Sequence, residues 1–200
     1  YSTAKAGVIY GGKPLTSSSA LIGGYDRALP IQIPMMDIFE GLLSGAAKDI
    51  LGTYELEWQG EKIDLTPGWR RMTMAEAVKE YAGVDFMAIK DDAEAVAAAK
   101  AAGVDMSKKE PTWGHALYET FDQKVEENLV QPTFITSHPV DVSPLAKRQA
   151  DDPRLTHRFE LFICRSEMGN AFSELNDPID QKARFQKQVE MRAGGDDEAG

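Results

Sequence analysis

Asn170, Phe172 and Glu174 stand two residues apart in "MGNAFSELNDPIDQ", residues 168–181, with only Gly169, Ala171 and Ser173 between them. A strand sends side chains i, i+2 and i+4 to one face, so an amide, a ring and a carboxylate would share one side and three small residues the other. An ordinary half-buried strand keeps its bulky apolar residues together instead. The pattern suits the floor of a polar pocket, backed by small residues that let another element pack close. Two more carboxylates lie upstream: Glu160 in "FELFI", projecting opposite Phe159 and Leu161, and Glu167 at the following turn. Acids on neighbouring strands can hold a hard cation such as Mg²⁺, which favours carboxylates and phosphate oxygens. They can equally receive an ammonium group, or simply face solvent. Strict alternation puts Glu167 on the face of Gly169. It joins Asn170 only through a bulge or turn twist, which Gly169 would permit.

Other chemistry is sparse. His115, His138 and His157 have no sequence-near Ser, Cys or Asp arranged for nucleophilic catalysis, so structural or surface roles are expected. Three scattered histidines and one cysteine argue against zinc. The lone Cys164 excludes an internal disulfide framework, fits a reducing cytoplasm, and is expected as a small core residue within a strand. A formal net charge of −10 argues against strong nucleic-acid binding by this chain alone, because phosphate contacts need Lys and Arg. No apolar run approaches the roughly 18 residues of a membrane span, and the N-terminus lacks a signal-like apolar core.

The chain has 200 residues, 42% of them hydrophobic, enough for a domain with its own core. Residues 1–33 are rich in Gly and Ser, show no sustained period, and are expected to be poorly ordered or out of context; "GVIYGGK" lacks the spacing of a phosphate-binding loop. From Met35, Phe39, Leu42, Leu43, Ala46 and Ile50 recur at helical spacing up to Gly52. "TYELEWQGEKIDLT" reads as a hairpin turning at Gln59-Gly60, and Thr73 with Glu76 as a capping box. Helices are expected in "DDAEAVAAAKAAG" and along the Trp113, Leu117, Phe121, Val125 stripe. A short strand at 134–136 is flanked by prolines that would confine it to edges and turns. Two antiparallel strands then turn near Arg165-Ser166, and Asp177 caps a helix with Pro178 at its first position, ending at Gly194-Gly195. The order predicts an α+β fold, an antiparallel sheet flanked by helices.

"FITSHPVDVSPLAKR", "LTHRFELFICRSEMGNAFSELNDPIDQKARFQKQ" and "GGDDEA", with "GTYELEW", "TPGWRRMTM" and "WGHALYETF", resemble the lysine-specific class II aminoacyl-tRNA synthetases. The resemblance runs over residues 34–200 and is densest over 132–199. It implies a partial, incomplete catalytic domain of that class, with residues 1–33 outside it. It also implies activation of lysine by ATP to lysyl-adenylate, followed by transfer to tRNA-Lys. Asn170, Phe172 and Glu174 match the family's lysine-binding positions, with Glu174 receiving the ammonium. Glu160 and Glu167 match the acids that hold Mg²⁺ against the ATP phosphates. A cytoplasmic homodimer without membrane association is implied for the full-length family.

Departures accompany the match. The first signature motif, the second motif's "FRNE"-like stretch, the third motif and the anticodon-binding domain are not found; Arg27 is the only arginine in residues 1–33. An incomplete gene product is expected on that basis, with a frame shift or misplaced start before Pro34. Two alternatives stay open: a ligase attaching lysine to an elongation factor, and a non-catalytic lysine- or partner-binding module.

Overall fold

Four strands make the main sheet, in the order β5 (Arg70–Thr73), β6 (Thr133–Thr136), β7 (Arg158–Ile163) and β8 (Ser166–Phe172). A computed structural model describes residues 9–10, 13–14, 32–107 and 109–193. Most of the segment 1–33, and the expected helix stop at Gly194-Gly195, lie outside the described residues. Strands β1 (Ile9–Tyr10) and β2 (Lys13–Pro14) form a separate antiparallel pair. The main sheet is antiparallel from β6 to β8, while β5 joins β6 in parallel. The α+β expectation therefore holds, with one parallel pair added at an edge. β6 does not lie at an edge as its prolines suggested. It runs between β5 and β7, because Pro132, Pro139 and Pro144 all fall outside the paired residues Thr133–Thr136 and remove no ladder donor.

Both faces of the sheet are covered. On one, α2 (Met74–Ala82), α3 (Asp92–Ala101) and α4 (Trp113–Lys124) pack around Met72, Ile135 and Phe162. On the other, α1 (Gln32–Leu51) and the hairpin of β3 (Glu55–Trp58) with β4 (Glu61–Asp64) cover Phe134, Phe159 and Leu161. The expected signals recur at the helix ends. Thr73 and Glu76 form the capping box of α2, and Asp91 and Thr112 cap α3 and α4. The β3–β4 turn puts Gln59 at φ 53° and Gly60 at φ 80°, the two left-handed positions of a primed hairpin turn.

Helix α1 is rotated from the expected stripe. Met36, Ser44 and Ala47 are buried and Phe39 and Leu43 half-buried, whereas Leu42 and Ile50 are 68% and 80% exposed. The buried face keeps Phe39 and Leu43 of the expected stripe and turns toward Met36, Ser44 and Ala47. Arg71 on β5 holds this docking by pairing with Asp37 and Glu40 of α1.

Phe39 also explains the small residues of β8. Its ring meets Phe159 edge-on at 5.9 Å and lies against Gly169, where an added Cβ would come within 2.6 Å of Cε1. The close packing expected behind Gly169 is thus supplied by α1. Gly169→Ala should destabilise the chain by about 1–3 kcal/mol through overpacking. Thermal denaturation with Phe39→Leu in the same background should recover most of that loss; no recovery would show the clash lies elsewhere.

Candidate active site

The pairing of β7 with β8 decides which side chains meet. Glu160 opposes Asn170 and Leu161 opposes Gly169, but Phe162 opposes Glu167 and leaves Met168 as an extra residue. Opposed residues share a face, so the shift returns Glu167 to the side of Asn170 and Glu160. The bulge on which Glu167 depended is present. Arg158 and Phe172 form the next pair on the same face. Glu174 continues the chain beyond the ladder, exposed, in an isolated bridge with Ala146.

Glu160 is only 5% exposed and has a cation or ring on each oxygen. Arg158 donates from a terminal nitrogen to Oε1 at 2.5 Å, and His138 Nε2 lies 3.1 Å from Oε2. Burial works against the charge of Glu160, but His138 and Arg158 outweigh it and hold the carboxyl below its ordinary range. Asn170 Nδ2 approaches Oε1 at 3.5 Å. Glu167 behaves in the opposite way: burial and then the Glu160 charge push it up, with the Asn170 amide pulling back. The neighbouring helix adds to the negative field. Burial, then Glu160 and Asp122, push the Tyr118 hydroxyl up to about 12, and burial with Asp122, Glu160 and Glu167 raises Glu126.

This is a place where a cation would be welcome. Among the described residues no three His, Cys, Asp or Glu side chains are grouped to hold a metal. A cation on Glu160 and Glu167 would therefore complete its shell with water or phosphate oxygens, the usual habit of Mg²⁺. The donor set, two mutually repelling carboxylates, fits such an ion.

The loop after β6 and helix α5 (Pro178–Ala193) support the other end of the site. Lys147 N–H donates to Ser173 O and Leu175 N–H to Leu145 O, both at 2.8 Å, so residues 145–147 carry the chain through Glu174. Arg184 of α5 is buried and donates to the carbonyls of Ser143, Pro144 and Ala146 at 3.3, 3.4 and 2.8 Å. Asp180 steadies it with bonds of 3.0 and 2.5 Å and also accepts from Arg148 at 3.3 Å. Asp177 caps the helix as expected, accepting from the amides of Ile179 and Asp180.

Reasoning from the sequence missed His138, Arg158 and Arg184. Each lies on the residue stretches that resemble the synthetases; Asp180–Arg184 at i,i+4 and Arg158–Glu160 at i,i+2 were local signals that could have found two of them, and only His138 has none. His138 is fully buried, the structural of the two roles expected for it, whereas Cys164 lies in the β7–β8 turn instead of a strand. Its backbone at φ 53°, with Arg165 at 62°, forms the tight reversal, while its side chain stays 1% exposed, in the core as expected.

With this sheet and this row of carboxylates in place, residues 31–199 match the family described as tRNA synthetases class II (D, K and N), and the chain belongs to that family. Within it, the chain is 52% identical over 166 residues to the lysine–tRNA ligase of Pelotomaculum thermopropionicum, and 53% identical over 165 residues to those of Syntrophomonas wolfei and Listeria monocytogenes. Each alignment covers 82% of this chain and 33% of the relative, so the chain spans about a third of the length of the relatives it matches.

The Arg184 clasp has a pH signature. Its bonds to Asp180, opposed by burial and reinforced by Arg148, draw that carboxyl down from 3.8 to about 2. A depressed folded value contributes stability that is complete above the unfolded value and lost as pH falls through the folded one. α5 should therefore loosen as the pH drops from about 4 toward 2. Hydrogen exchange along 178–186 should show this opening in the parent chain, and Asp180→Asn should already be open at neutral pH. Equal protection in both would remove Asp180 from the docking.

Proposed function

We propose that this chain is the part of a lysine–tRNA ligase catalytic domain that holds lysine and the Mg²⁺ accompanying ATP. One observation carries the reading: the extra residue at Met168 gathers Glu160, Glu167 and Asn170 on one face of a sheet whose chain is half identical to lysine–tRNA ligases. Asn170, Phe172 and Glu174 form the lysine-binding row. Glu174 receives the side-chain ammonium, Phe172 offers its ring to the aliphatic stem, and Asn170 supplies an amide.

Glu160 and Glu167 hold the ion. Mg²⁺ there would orient the ATP phosphates and offset their charge while the lysine carboxylate attacks the α-phosphorus and pyrophosphate leaves. Burial and the Glu160 charge raise the Glu167 carboxyl, and a cation between the two carboxylates would relieve that repulsion. In the whole ligase the lysyl group then passes to tRNA-Lys, in a cytoplasmic homodimer. Among the described residues no helix is long and apolar enough to cross a membrane. Relatives at this identity are named as tRNA ligases, which favours this reading over a protein-lysylating one.

Calorimetry tests the lysine row. Glu174 is exposed here, so its bond to an ammonium is worth about 1.5–3 kcal/mol, as for hydrogen bonds to charged groups, and not the larger cost of breaking a buried pair. Glu174→Gln should weaken lysine binding roughly tenfold or more, on that estimate. Binding of norleucine, which lacks the side-chain ammonium, should be left unchanged. An unaltered preference for lysine over norleucine would sink the assignment.

A further inference from the structure

We propose that His138 is a positioning residue for the cation site: it locks the rotamer of Glu160 so that this carboxylate and Glu167 face a common point. The inference rests on the cation reading above. His138 is 0% exposed, and neither ring nitrogen has a well-aligned hydrogen-bond partner among the described residues. Its Nε2 nevertheless lies 3.1 Å from Glu160 Oε2. A buried polar ring without full hydrogen bonding is costly, and an apolar side chain of similar size would avoid the cost. The ring is therefore spent on Glu160.

The backbone fixes the ring in place. Ser137 adopts φ 59°, a left-handed conformation rare for a residue with a side chain, and Gln149 Nε2 donates to both Ser137 Oγ and Thr156 O at 2.9 Å. The carbonyl of His138 accepts from Thr156 N–H and Oγ1, each at 2.9 Å. Pro139 then bridges to Leu155. With this much support on either side, His138 has little freedom to follow Glu160 if the carboxylate moves.

The two partners divide the carboxylate between them. Arg158 takes Oε1 and is itself tied to Val142 O at 3.0 Å and Ser143 Oγ at 3.1 Å. His138 takes Oε2 from β6's end of the sheet. One partner alone leaves rotation about the carboxylate's last bond; two on different oxygens remove it. A carboxylate retains lone pairs beyond these two contacts, so an ion can still be accepted in the orientation they impose.

Mn²⁺ is the probe, its free and bound forms distinguished by electron paramagnetic resonance on the 200-residue chain. His138→Leu should weaken Mn²⁺ binding roughly 10–100-fold, the usual effect of losing a group that orients a metal ligand. His138→Gln, which keeps an amide donor for Oε2, should restore binding to within about threefold of the parent, below that range. Glu167→Gln is the control for the site itself. If Glu167→Gln weakens binding and His138→Leu does not, the positioning role is wrong and the cation site stands. The role also fails if His138→Gln binds as weakly as His138→Leu while circular dichroism shows both folded. If Glu167→Gln leaves Mn²⁺ binding unchanged, the cation reading fails and takes this inference with it.

Discussion

A carboxylate in the middle of a strand covered on both faces has to be neutralised where it stands, and much of this structure follows from that requirement at Glu160. From Phe159 to Ile163 every residue of β7 is buried. An isolated charge there would cost several kcal/mol, and the ordinary escape is to take up a proton. Here the charge is kept instead, because Arg158 and His138 approach it from two directions. Each brings its own supports. Arg158 requires the turn at residues 140–143, and His138 requires the strained Ser137 and the Gln149–Thr156 contacts. Part of the long excursion between β6 and β7 is thus a scaffold for the partners of Glu160.

The same strand pair has to satisfy opposite demands on its two sides. Behind it, α1 comes close enough for a phenyl ring to touch the backbone at Gly169. In front, a cluster of polar groups needs room and a common direction. A regular ladder could not give both, since alternation would send Glu167 toward α1 with Gly169. One extra residue at Met168 resolves the conflict by resetting the alternation between Glu167 and Gly169. Met168 itself is largely exposed, the expected fate of a residue with no partner across the strand.

Most local elements were legible because local chemistry decides them. The Thr73–Glu76 box, the Gln59-Gly60 turn, the α4 stripe and the Asp177 cap each depend on a few neighbouring residues. The inverted pattern around Asn170 was legible for the same reason, and so was the need for a bulge at Glu167. Sheet order was not, because nothing in four residues such as Thr133–Thr136 states which strands flank them. The rotation of α1 away from Leu42 and Ile50 likewise depends on distant Phe159 and Gly169, which Phe39 packs against. His138 and Arg184 were illegible for a related reason. The Glu160 partner of His138 lies 22 positions away, and although Asp180 stands at i−4 from Arg184, the carbonyls that Arg184 clasps lie about 40 positions away.

Ser143 links the two ends of the site. Its hydroxyl accepts from Arg158, which holds Glu160, and its carbonyl accepts from Arg184, which holds the segment beside Glu174. Glu160 and the segment around Glu174 are therefore hung from one short loop, although Glu160 lies within the β7–β8 ladder and Glu174 beyond it. Movement of that loop would shift both ends together. Because the loop is pinned from the sheet by one arginine and from α5 by another, its position is over-determined. That rigidity bears on specificity. In the reading proposed above, the ion at Glu160 and Glu167 holds the ATP phosphates and Glu174 holds the lysine ammonium, so the distance between the two ends sets where the lysine carboxylate meets the α-phosphorus. A site whose ends share a single support keeps that distance, and can reject a side chain one methylene shorter by leaving its ammonium short of Glu174. The gain from such a mismatch is limited to about 1–3 kcal/mol when only a methylene distinguishes two ligands, and grows when a buried polar group is left unpaired.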